Sequence, residues 1–343
     1  MSGGVTGWVP DVLQGYWQRT LPLGPDPAGE GDIVATLIRR GSEEDARSDH
    51  AVLAVHGYTD YFFHTDLADH FADRGFTFYA LDLQKCGRSH RDGQTPHFIT
   101  DLAHYDAELD RALEVIGRQS GRVVVYGHSA GGLIVSLWLD RLRRRAAGTH
   151  SRVGGLVLNS PFLDLHGPAV LRHAATSAMI AGLSRLRSKG VIRAPTPGGY
   201  GTTLHRDYGG EFDYNLKWKP VGGFPITLGW LHAVRRGQAR LHRGLDVGVP
   251  SLILRSDHSV REGTDPAAMH CGDAVLDVAL IARWAGCIGH RTTIVPVADA
   301  KHDVFLSLPR PRRAAYRHLD VWLDQYLADS DAPAESDHRE IKG

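Results

Sequence analysis

Short, unbroken apolar runs recur along this chain with helical patterns between them, and few folds accept such a rhythm. Residues 51–55 (Ala-Val-Leu-Ala-Val) form the clearest run. Similar runs occupy 76–81, 122–126, 156–158, 251–254 and 293–297, and 32–39 reads as a further strand. A strand with one wet face alternates apolar and polar residues, whereas a run without alternation suits a strand buried on both faces. Leu67 and Phe71 suit a helix ending near Gly75. Residues 101–117, after Thr100 as N-cap, carry apolar side chains at Leu102, Leu109, Ala112, Leu113 and Ile116. Helical patterns at 133–142, 277–285 and 313–327 continue the series. Strands that alternate with helices run parallel and are joined by right-handed crossovers. The expected architecture is α/β, a mostly parallel central sheet flanked by helices.

One stretch breaks the rhythm. Residues 162–245 hold helical patterns at 168–186 and 230–241, a Pro/Gly-rich stretch at 194–201, and aromatic residues from Tyr208 to Phe224. An insert of roughly 80 residues between two core strands is too long for a plain loop. We therefore expect 162–245 to be a cap or lid over the strand ends. The core would be 31–161 together with 246–328, preceded by an N-terminal segment, 1–30. The polar residues 329–343 are expected to be a disordered tail.

Charge and cysteine content narrow the function. Lys+Arg and Asp+Glu both number 39, so the net charge is zero, which argues against a nucleic-acid partner whose phosphates need a cationic surplus. The Arg143-Arg144-Arg145 cluster reads as a solvated helix end. Cys86, Cys271 and Cys287 are odd in number and lack CxxC spacing, which suits free thiols in a reducing compartment. Residues 1–7 have neither the basic start nor the apolar core of a secretion signal. No run of about 18 apolar residues exists, so no integral membrane segment and a cytoplasmic location are expected. His64 and His70 have no third ligand nearby, so neither a metal nor another cofactor is expected. No sequence feature specifies the oligomeric state.

The chemistry centres on Gly127-His128-Ser129-Ala130-Gly131, which follows the run 122–126 and opens a helix. This is the G-x-S-x-G turn in its strand–turn–helix setting, where a serine hydroxyl projects above a sheet. The helix beneath offers unpaired N–H groups to a developing oxyanion. Ala130 N–H is one candidate donor. Tyr58 N–H, in His56-Gly57-Tyr58 just after the run 51–55, is the other. Serine needs a general base, and His302 lies after the last apolar run and before the final helix. The third member should be an acid preceding the histidine. Asp257 fits by following the strand 251–254; Asp273 fits by preceding a helix, with Val275 and Leu276 as an apolar pair. We favour Asp273, and read Asp277 as a helix N-terminal charge.

In this order the chain resembles the α/β-hydrolase superfamily, and within it the lysophospholipase, monoacylglycerol lipase and serine aminopeptidase-like branch. The likeness runs over about residues 30 to 328 and is weakest in the insert. The stretch Asp82 to Ser89 resembles the family's structural D-x-x-G-x-G-x-S loop, with Cys86 at a glycine-like position. The family motif Asp-x-Val-Leu-Asp places the acid at Asp273. The resemblance implies a Ser129–His302–Asp273 hydrolase of carboxylic esters, acting on a small-molecule or lipid-like ester without a cofactor. The same triad would serve an aminopeptidase or amidase, or a thioesterase or acyltransferase. A non-catalytic ligand-binding protein on this scaffold is the alternative from another class.

Overall fold

The computed structural model describes residues 7–41, 48–166, 174–195, 199–261 and 265–331. Its strands are β1 (Val9–Pro10), β2 (Tyr16–Pro25), β3 (Asp32–Arg40), β4 (Ser48–Val55), β5 (Thr77–Asp82), β6 (Ser120–His128), β7 (Val153–Asn159), β8 (Val191–Arg193), β9 (Ile226–Thr227), β10 (Ser251–Ser256) and β11 (Thr292–Val297). The helices are α1 (Thr65–Asp73), α2 (Asp106–Ile116), α3 (Ala130–Arg145), α4 (Ala147–His150), α5 (Ala174–Leu186), α6 (Leu228–Leu241), α7 (Pro266–Met269), α8 (Val278–Trp284) and α9 (Pro309–Asp331). Nine strands form one sheet in the order β1-β2-β3-β5-β4-β6-β7-β10-β11. The pairs from β5 through β11 are parallel, while β1, β2 and β3 are added antiparallel at one edge.

The unbroken apolar runs divide by the two-residue period of a strand. Ala51, Leu53, Val55, Val123, Val125, Leu156 and Leu158 join the core beneath α2 and α3. Their neighbours Val52, Ala54, Val124, Tyr126 and Val157 join the opposite core with Phe71 of α1 and Leu319 and Leu323 of α9. Both faces of the sheet are therefore covered, which is why no alternation survives in the sequence. A third cluster, Tyr61, Phe63, Leu204, Tyr214 and Leu306, joins the chain between β7 and β10 to the sheet's upper end. Tyr214 serves both as packing and as cavity wall.

Several local expectations change. Segment 1–30 contributes β2, which the sequence reading missed and which only the two-residue β1 separates from the sheet edge. Its alternation is weak, Pro22 interrupts it, and the pairing with β3 is irregular between Pro22 and Gly24, as edge strands tolerate. The helix expected from 101 opens as a 3₁₀ turn, and its cap is Asp101, whose carboxylate accepts Ala103 N–H, in place of Thr100. Helix α9 reaches Asp331; the rest of the expected disordered tail, 332–343, lies outside the described residues. So do 168–173 of the helix expected at 168–186, and 196–198 of the Pro/Gly-rich stretch. Arg143, Arg144 and Arg145 close α3 in ion pairs with Asp246, Asp140 and Asp110. Among the described residues no helix is long and apolar enough to cross a membrane.

The edge hairpin is pinned by a buried charge cluster. Lys85 Nζ lies 2.7 Å from Asp26 and 2.8 Å from Glu30, and Glu30 also pairs with Lys189 at 2.7 Å. Burial alone would raise the Glu30 pKa, but hydrogen bonds from Lys189, Lys85 and Thr95 bring it down to about 2 from an ordinary 4.5. Its stabilising contribution is therefore complete above about pH 4.5 and is lost as pH falls through about 2. Glu30→Gln should lower unfolding stability at pH 7 by about 3 kcal/mol. The gap from wild type should narrow as pH falls through that window, as read by urea denaturation at several pH values.

Candidate active site

Ser129 is the single residue between β6 and α3, and its backbone sits at φ 52°, ψ −120°. A non-glycine residue there carries strain of about 1–3 kcal/mol and persists only where the surroundings fix it. Its N–H donates to Asn159 O at 2.9 Å, and its own carbonyl accepts from Gly132 N at 3.0 Å and Phe162 N at 2.9 Å. The flanking glycines answer to packing. A Cβ on Gly131 would stand 2.3 Å from His56 O, and one on Gly127 would stand 2.7 Å from Val135 Cγ2 and 2.8 Å from Gly132 Cα. Small residues at both positions let α3 approach the strand ends so closely that its free N-terminal N–H groups lie under the serine.

The opposite wall is the His56-Gly57-Tyr58 turn after β4. Leu83 N–H donates to His56 Nε2 at 3.1 Å, so Nε2 is an acceptor and the ring proton sits on Nδ1. Nδ1 then donates to Gly57 O at 2.8 Å. In a trans peptide the carbonyl and the following N–H point in opposite directions. Anchoring Gly57 O on the His56 ring therefore turns Tyr58 N–H away from that ring. The Tyr58 phenol, held neutral by burial, donates to Pro225 O at 2.6 Å, and Phe224 N–H donates to Thr59 Oγ1 at 3.0 Å. The turn is thus tied down from both sides.

His302 is buried on the loop between β11 and α9, and its Nδ1 lies 2.9 Å from Asp273 Oδ2. Asp273 is fully buried, and its other oxygen accepts N–H bonds from Val275 at 2.8 Å and Leu276 at 2.7 Å. Those two amides hold the carboxylate toward the ring. Asp257 is exposed elsewhere, where it pairs with His258 Nδ1 at 2.8 Å and accepts Asp299 N–H. Asp277 caps α8 by accepting Ala279 N–H. Cys86 is buried, with Sγ 3.2 Å from His97 Nδ1.

Ser129, Ala130, Tyr58 and His302 line one cavity of about 320 Å³. Phe162, Leu165, Ile226, Trp230, Leu231 and Leu276 make its apolar side. The other side holds a feature the sequence reading missed, a buried ion pair between Lys219 Nζ and Asp60 Oδ1 at 2.5 Å. Burial opposes the Asp60 charge, yet Lys219 holds its pKa below the ordinary carboxylate value. Burial lowers His128 in turn. The only sequence signal for the pair was a lysine inside an aromatic stretch, and its partner lies 159 positions away. Among the described residues no cluster of His, Cys, Asp or Glu has a metal-binding arrangement.

A family model described as serine aminopeptidase, S33, matches residues 46–259. A curated relative, uncharacterized protein F37A4.1 of Caenorhabditis elegans, is 27% identical over 178 residues, or 48% of this chain. That match spans 34% of the relative's own length. Among solved structures, a soluble variant of monoglyceride lipase from Saccharomyces cerevisiae has a TM-score of 0.59 at 14% identity, covering 95% of each chain. Mouse alpha/beta hydrolase domain-containing protein 10 has a TM-score of 0.53 at 12% identity, covering 93% of this chain and 98% of its own. Likeness at such identities is a likeness of fold.

The glycine argument carries a direct test. Gly131→Ala drives a methyl group into the backbone of the β4 exit turn and should cost about 3 kcal/mol of stability, read by urea unfolding. Gly148, where nothing stands near an added Cβ, should accept alanine within about 0.5 kcal/mol.

Proposed function

The chain belongs to the serine aminopeptidase S33 family of α/β hydrolases, whose model matches more than half its length, and from that premise we propose that it is a serine hydrolase of carboxylic esters. The observation that carries the proposal is the placement of Ser129, on a strained turn, and His302, backed by buried Asp273 at 2.9 Å, on the walls of one mainly apolar cavity. Ser129 Oγ attacks the acyl carbon while its proton passes to His302 Nε2. Asp273 accepts the Nδ1 proton's hydrogen bond and stabilises the imidazolium. The tetrahedral oxygen takes hydrogen bonds from Tyr58 N–H and Ala130 N–H. The intermediate collapses, the alcohol leaves with the proton from His302, and the acyl group stays on Ser129. Water then attacks the acyl carbon, giving its proton to His302, which returns it to Ser129 as the acid departs.

Ester chemistry is favoured over aminopeptidase chemistry by the charge of the cavity. Among the described lining residues the only acid is Asp60, already matched by Lys219. A substrate α-ammonium would therefore meet no uncompensated carboxylate. The volume lies at the lower end of ligand pockets and suits short to medium acyl chains.

Ser129→Ala should lower kcat on a p-nitrophenyl ester by on the order of 10⁴-fold or more, and a fluorophosphonate should label Ser129 in wild type. Full activity in the variant would overturn the proposal. Aminoacyl anilides should be turned over far more slowly than esters, and ester rates should decline beyond about eight acyl carbons. His56→Ala, which frees Gly57 O, should cost about 10²-fold in kcat.

A further inference from the structure

The nucleophile and the base sit on separate loops, and one buried residue outside the triad bonds to both, to the Ser129 turn through its main chain and to the His302 loop through its side chain. Asn159 is the last residue of β7, paired in register with His128 of β6, and it is fully buried. Its main-chain carbonyl accepts Ser129 N–H at 2.9 Å and lies 3.1 Å from His128 Nδ1. Its side chain faces the loop of His302. Asn159 Nδ2 donates to Asp303 Oδ1 at 2.6 Å and to Tyr126 OH at 2.8 Å, while Asn159 Oδ1 accepts Val304 N–H at 3.2 Å. Asp303 is held further by Phe305 N–H on the same oxygen and by its own N–H, which donates to Tyr200 OH at 3.0 Å.

We infer that Asn159 is a positioning residue that locks the turn of Ser129 to the loop of His302. The inference rests on the Ser129–His302 reading above and deepens it. A polar side chain at this depth, with its carbonyl and amide groups both engaged, has little freedom to rotate. It fixes Asp303, the residue after His302, against the strand that delivers Ser129. The triad's geometry then depends on a carboxamide that touches no substrate. Its loss would let the base loop shift, and a misplacement of about 1 Å is enough to cost about 10²-fold in rate.

An aspartate at position 159 gives a sharper probe than truncation. It would set a second carboxylate against Asp303, and two carboxylates in contact share one proton, so the upper pKa of the pair rises. The groups facing them are His128 and Tyr126 from β6, Tyr200 from the insert, His64 before α1, Tyr316 from α9 and Asp60, which lines one small cavity with Asp303. Lys301 and His302 stand on the same loop as Asp303. The shared proton keeps the clamp closed at low pH, and its loss as pH rises through the raised value opens it.

The test measures kcat, KM, fluorophosphonate labelling rate and thermal midpoint for Asn159→Ala and Asn159→Asp, beside Ser129→Ala. In Asn159→Ala, kcat and labelling rate should fall together by about 10²-fold, with KM within about twofold. In Asn159→Asp, kcat should show a falling limb on the alkaline side that wild type lacks. If folded Asn159→Ala has a lower midpoint but keeps kcat within about threefold, the residue is merely structural and the inference is overturned. If Asn159→Ala does not fold, the pH profile of Asn159→Asp decides, and a wild-type profile there overturns it. Failure of the hydrolase reading shows separately, as activity retained by Ser129→Ala.

Discussion

The site depends on a strained turn that its surroundings do not allow to relax. At φ 52°, ψ −120° Ser129 sits where side-chain-bearing residues rarely go, and an unrestrained chain would relax toward the ordinary helical or extended region. It is held by bonds at both ends of its peptide units and by the close approach of α3 to the exit of β4. The strain raises the hydroxyl clear of the sheet and keeps the first free amides of a 16-residue helix beneath it. One local distortion thus supplies both the exposure of the Ser129 hydroxyl and part of its electrostatic setting.

The sheet order explains why residues so far apart in sequence converge. Strands β4, β6 and β7 are adjacent and parallel, so their carboxyl ends open on one edge, where open α/β sheets place their sites. The turn of Tyr58 leaves β4, Ser129 leaves β6 and Asn159 ends β7. The loop of His302 follows β11, two strands beyond β7, and must reach back across the edge. That reach explains the dense buried hydrogen bonding around Asp303. Described residues of the insert line the cavity, and the insert is joined to the core by the Lys219–Asp60 pair, by Tyr58 OH on Pro225 and by Lys301 Nζ on Thr203 O. These polar contacts fasten the insert to the core at several points.

Much of this was legible in the chain, and the reasons differ by element. The central strands stand out because burial on both faces removes polar residues from them. The position of Ser129 stands out because the turn demands glycines at fixed offsets, as the clash distances at Gly127 and Gly131 make plain. Strand β2 was not legible, because a strand beside the sheet edge with half-exposed side chains carries little periodic signal. Spacing favoured Asp273 but left Asp257 open. Asp273 meets His302 only because the chain doubles back to bridge Ser259 with Asp273, a pairing with no local mark. Asp60 with Lys219, and Asn159 with Asp303, were invisible for the same reason: each is a contact between residues more than a hundred positions apart.

The central claim is that the turn at Ser129 holds a hydroxyl between two backbone donors and an imidazole. A crystal structure of the protein inactivated by an alkyl phosphonate tests it most directly. The account predicts phosphorus bonded to Ser129 Oγ, with the phosphonyl oxygen about 2.7–3.1 Å from the amides of both Tyr58 and Ala130. A phosphonate on another residue, or one on Ser129 with its oxygen turned to solvent and both amides unengaged, would contradict it.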